Sequence, residues 1–154
     1  MTALTGNVSG QTLTGPGTWN ATGTTTITTP GLLLANGADL ENDGVMVLNV
    51  PGGGLVNPDG SGAFTNAIGA TLTVVTGRIV PNIVNAGTIT VSTSLNIEGT
   101  FTNTGTISLQ SGTLNIGNAL TNTGAITTAA GTSLGISGAN ITGTFNIGGA
   151  LGVG

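Results

Sequence analysis

Between residues 83 and 100 the apolar side chains fall on alternate positions in two short runs. Thr88-Ile89-Thr90-Val91 is followed by a polar break and then by Leu95-Asn96-Ile97. Period two is the strand period, because successive side chains of a strand point to opposite faces. The pattern sets Ile89, Val91, Leu95 and Ile97 on one side, with Thr88, Thr90 and Asn96 on the other. The next stretch repeats it as Thr106-Ile107-Ser108-Leu109, a Gln-Ser-Gly corner, and Leu114-Asn115-Ile116. No window carries the i, i+3, i+4, i+7 apolar stripe of a helix. The 29 glycines among 154 residues would each cost a helix about 1 kcal/mol against alanine. The chain reads as all-β.

Every block opens on one motif. Phe101-Thr102-Asn103-Thr104-Gly105 returns as Leu120-Thr121-Asn122-Thr123-Gly124, and looser copies begin at Ile83, Phe64 and Leu40. Cutting before each starter gives units 40–63, 64–82, 83–100, 101–119 and 120–140, with a partial terminal unit at 141–154. Residues 19–39 form a degenerate unit in which Trp19 takes the starter's place, and 1–18 are a lead-in or cap. Three short strands per unit cannot enclose a core alone. Stacked copies can, with like positions about 4.8 Å apart and each strand paired to the strands of neighbouring units. The expected object is one domain over 1–154: a three-sided, single-stranded parallel β-helix, or β-solenoid, of roughly six to seven rungs. Such a rod would be about 30 Å long. Apolar residues six apart at 83, 89, 95, 101 and 107 have the hexapeptide rhythm of left-handed coils, but the spacing then drifts. The general preference for right-handed crossovers favours a right-handed coil.

Composition changes this picture mainly by exclusion. Charged residues are 4% of the chain, against about 25% in ordinary soluble domains. Arg78 is the only basic residue, facing Asp39, Glu41, Asp43, Asp59 and Glu98, for a net charge of −4. One cation cannot neutralise a phosphate backbone, so nucleic acid is excluded as a partner. No apolar run approaches the roughly 18 residues of a membrane span, so membrane insertion is not expected. No basic and apolar leader follows Met1, so no signal peptide is legible. With no His, Cys, Tyr or Lys, Ser and Thr lack a partner to activate them, and no enzyme is expected.

Four features remain as candidate sites. Asn42, Asn66, Asn85, Asn103 and Asn122 share one repeat position, where stacked amides would form a hydrogen-bonded structural ladder. Asp39, Glu41 and Asp43 alternate on an extended segment and form a weak calcium candidate; the twelfth loop position would be Val50 rather than Glu, and no other cofactor is expected. Residues 51–62 lengthen one unit and read as a loop, with Leu55, Val56 and Asp59 as its distinctive side chains and a possible binding role. Thr26/Thr28, Thr71/Thr73, Thr88/Thr90 and Thr106/Ser108 suggest an outward Thr array of the kind ice-binding solenoids present, broken by Val45/Val47 and Ala125/Thr127. Arg78 is expected to pair with a nearby acid, and Trp19 to cap the apolar column.

The Asn-x-Gly turns, the Thr-Ile-Thr-Val and Leu-Asn-Ile strands and the scarcity of charge resemble the passenger repeats of filamentous-haemagglutinin-type adhesins and autotransporters over residues 40–147. The resemblance implies a right-handed β-helix at a bacterial surface. The expected function is a structural extracellular fibre or surface-adhesin segment working as a rigid rod. Its partners would be copies of itself stacked end to end, or further repeats of the same chain. The alternative is an adhesin module that binds glycan or host protein through residues 51–62.

Overall fold

A computed structural model describes residues 2–154, with side chains described except at residues 2 and 139–141. Among these residues all regular structure is β, and every strand pair is parallel. The first face is an eight-stranded sheet of β1 (Thr2–Ala3), β3 (Gly17–Ala21), β5 (Ala38–Asn42), β7 (Ala63–Asn66), β9 (Asn82–Asn85), β11 (Phe101–Asn103), β14 (Leu120–Asn122) and β17 (Ala139–Ile141), in that order. It carries the repeat motif.

The second and third faces are continuous in five long strands: β2 (Gly6–Thr14), β4 (Thr24–Ala35), β6 (Val45–Val56), β8 (Thr71–Ile79) and β10 (Thr88–Ile97). Register slips partway along them mark the corner, for example between Val91 and Ser94. Farther along, each pair of faces separates into two strands: β12 (Thr106–Leu109) with β13 (Thr113–Ile116), β15 (Ala125–Thr128) with β16 (Ser133–Ile136), and β18 (Thr144–Ile147) with β19 (Ala150–Val153). Gly112 and Gly131 turn two of those corners in the left-handed region, at φ 73° and 78°. Counted by pairing, the β-solenoid has eight turns among the described residues. The 1–18 lead-in contributes β1 and β2, and the terminal segment supplies two faces of the last turn through β18 and β19.

Stacking in register turns the period-two pattern into apolar columns. Trp19, Leu40, Phe64, Ile83, Phe101 and Leu120 follow one another on the first face. Met46, Leu72, Ile89, Ile107, Ile126 and Phe145 do so on the second. Leu32, Leu55, Ile79, Ile97, Ile116 and Ile136 form a column on the third. Trp19 is part-buried against the same core, at the position its place in the repeat predicts. Among the described residues no helix is long and apolar enough to cross a membrane.

Candidate functional site

The five motif asparagines are wholly buried. Their amides join in one direction: Asn42 Nδ2 donates to Asn66 Oδ1 at 2.8 Å, Asn66 to Asn85 at 2.7 Å, Asn85 to Asn103 at 2.6 Å and Asn103 to Asn122 at 2.6 Å. The second Nδ2 hydrogen reaches a main-chain carbonyl of the following turn, at Thr71, Thr88, Thr106 or Ala125. Their own carbonyls accept main-chain N–H groups of the next bend, such as Thr104 and Gly105 on Asn85. Nothing outside the rod reaches these groups, so the ladder satisfies buried polarity and is no recognition stripe. The glycine closing most of the motifs has a matching reason, the exception being Gly69, which has open space and a positive φ of 82°. A Cβ on Gly44, Gly87, Gly105, Gly124 or Gly143 would stand 2.1–2.4 Å from a main-chain oxygen of the preceding turn. Close approach of turns, rather than a positive φ, is what these bends require.

The acidic cluster alternates outward from β5 as expected, but its side chains are engaged separately. Asp39 accepts the Ala63 N–H at 2.9 Å, and Asp43 accepts Asn20 Nδ2 at 2.7 Å. Among the described residues no three acidic side chains come together to hold a metal ion.

The 51–62 segment is not one loop. Gly54, Leu55 and Val56 belong to β6 and pair with β4. Leu55 is wholly buried in the apolar column, which removes it from any exposed binding surface. Val56 is only part-exposed beside it. The extra length divides into a bulge between Asn49 and Gly54 and a turn over 57–62. In that turn Asp59 accepts Ser61 Oγ at 2.6 Å, Ser61 N–H at 3.0 Å and Asn36 N–H at 2.6 Å, while Ser61 Oγ accepts Gly37 N–H at 2.8 Å. The Ser61 hydroxyl first, then the two main-chain N–H groups, hold the Asp59 carboxyl down at about 2. Asn36 is the one non-glycine residue with positive φ among those described, at 55°. Asp59 therefore clips an adjacent left-handed corner.

The Thr array is in register with one correction. Thr24 and Thr26, rather than Thr26 and Thr28, align with Val45 and Val47, and these with Thr71/Thr73, Thr88/Thr90, Thr106/Ser108 and Ala125/Thr127. The slip arises because both pairs obey the same alternation, and only pairing fixes which is used.

Arg78 meets the acid expected of it: Nη1 lies 3.5 Å from Glu98 Oε1, with both side chains nearly half exposed, at 44% and 46%. Its Nε is buried without a partner. The pair lines a groove of about 430 Å³ on the third face, together with Gly52 and Gly53. In the sequence the groove leaves one trace, the recurrence of an outward Asn at 96 and 115. Comparison with protein-family models, curated proteins and solved structures finds no match to the chain.

Proposed function

We propose that the chain is a rigid rod segment of a bacterial surface adhesin or extracellular fibre, in keeping with its resemblance to filamentous-haemagglutinin-type repeats. The observation that carries this reading is the unbroken run of the buried asparagine ladder beside the apolar columns. Side chains of this kind serve stiffness along an axis, and scarce charge leaves little for catalysis. The columns run on to part-buried Phe145 and Ile147 and to exposed Leu151 and Val153. A further turn, from the same chain or from a second copy stacked end to end, would cover them.

Two measurements test the reading. Antibodies to the purified chain should label intact source cells; labelling only after lysis would overturn the surface location. Electron microscopy should show straight particles about 35 Å long, from eight turns at about 4.8 Å, or longer rods where copies stack. Flexible or round particles would sink the rod.

A further inference from the structure

The third face carries a feature that a bare rod does not need. One outward column runs Gly31, Gly54, Arg78, Asn96, Asn115, Gly135, Gly152. Three adjacent turns thus present long polar side chains, and the turns on either side present none. A second groove of about 410 Å³, lined by Asn115, Gly135 and Gly152 among others, lies on the following turns, and the bonded amides of Asn96 and Asn115 line one groove each. Together they form a track parallel to the rod axis.

We propose that this track binds a neutral, linear oligosaccharide lying along the rod. Sugar hydroxyls donate and accept at once, and the track offers both kinds of partner within one turn of each other. Arg78 supplies donors through the exposed end of its half-exposed guanidinium. Glu98 supplies an acceptor. Thr76 and Ser94 hydroxyls, 3.1 Å apart, do either. The exposed amides of Asn96 and Asn115 add one donor and one acceptor each, joined at 3.1 Å. Charge selects the neutral class: the single cation is already compensated by Glu98, and the chain is net −4, so a polyanionic glycan meets repulsion. Spacing selects the linear class. Turns repeat at about 4.8 Å, close to the length of one pyranose along an extended chain, so successive sugars would meet Arg78, Asn96 and Asn115 on successive turns. Asn115 Oδ1 leans over Gly135, and at Gly152, where the Cβ site is open, a sugar face can approach the backbone. The site is independent of the rod reading, and either can fail alone.

The test is a titration of the purified full chain, followed by amide chemical shifts. The probes are neutral hexasaccharides (cellohexaose, laminarihexaose, maltohexaose and mannohexaose), the matching disaccharides, and hexagalacturonate. At least one neutral hexasaccharide should shift the resonances of residues 76–98 and 115–152. Arg78→Ala and Asn96→Ala should each weaken it about tenfold or more, as loss of a hydrogen bond to a charged or amide group does. Asn96 is exposed, so its variant keeps the proposal testable should Arg78→Ala unfold. Gly152 has room for a side chain, its nearest neighbour being 4.0 Å from a Cβ. Gly152→Leu should therefore weaken the hexasaccharide and leave the disaccharide unchanged. No shift with any neutral hexasaccharide at millimolar concentration, undiminished binding in both polar variants, or a preference for hexagalacturonate would each overturn the proposal.

Discussion

Asn103 has a bonded amide on either side, accepting from Asn85 and donating to Asn122. Replacing it with alanine strands one Nδ2 hydrogen of Asn85 and leaves Asn122 Oδ1 without its donor. Each stranded buried group costs about 1–3 kcal/mol. Chemical denaturation of Asn103→Ala should show a lower midpoint at an unchanged slope, and an unmoved midpoint would refute the ladder's role. Gly105 makes a sharper case because its added methyl has nowhere to go: a Cβ would lie 2.1 Å from the Gly87 oxygen. Gly105→Ala should destabilise by about 1–3 kcal/mol, the usual cost of overpacking. Gly152→Ala, with open space around its Cβ, should stay within about 0.5 kcal/mol of the parent. Equal effects at the two sites would show that glycine entropy, rather than turn-to-turn distance, decides.

At the scale of elements, the 57–62 turn is a clip on its neighbour. The Asp59 carboxyl is held at about 2, against an ordinary 3.8. A depressed carboxylate contributes stability that is fully present above its unfolded value and is lost as pH falls through the folded one. The melting-temperature gap between the parent and Asp59→Asn should therefore hold steady above pH 3.8 and close as pH drops through about 2. A gap independent of pH would mean that the clip acts through shape and not charge. This element also shows where the sequence stops being legible. The strands, starters and ladder could be read because stacked copies of one motif must place like residues over like. That logic fails wherever the count changes. Leu55 looked like loop because it follows three glycines, yet the slip between Asn49 and Gly54 returns it to the core. Thr24 and Thr28 are equally good strand residues, and no alternation rule chooses between them. The Arg78 groove is illegible in the sequence for a related reason. Its walls come from different turns, and its shape depends on which outward positions lack a side chain.

For the whole molecule, each inner turn has two neighbours and each outer turn one, so stability should be graded along the axis. Hydrogen exchange should be slowest in β7, β9 and β11 and in the β8 and β10 strands beside them, and fastest in β1 and β19. Uniform protection would instead indicate a single cooperative block. The asparagine ladder adds a property that no single turn possesses. Every amide donates toward higher residue numbers; the first four are also tied to a carbonyl of the following turn, and Asn122 to Gly124 in its own bend. Flipping one amide would set oxygen against oxygen on both counts, so the orientation is collective. Five aligned amide dipoles therefore give the rod's interior a vector, with an accepting pole at Asn42 and a donating pole at Asn122. Hydrogen bonds in such a chain polarise one another. Ala21 stands in register before Asn42 and Ile141 after Asn122, so both poles lie inside the rod. Stacked copies would repeat this vector at intervals rather than extend it. With every strand parallel, a fibre of copies joined head to tail would be polar, with two chemically different ends.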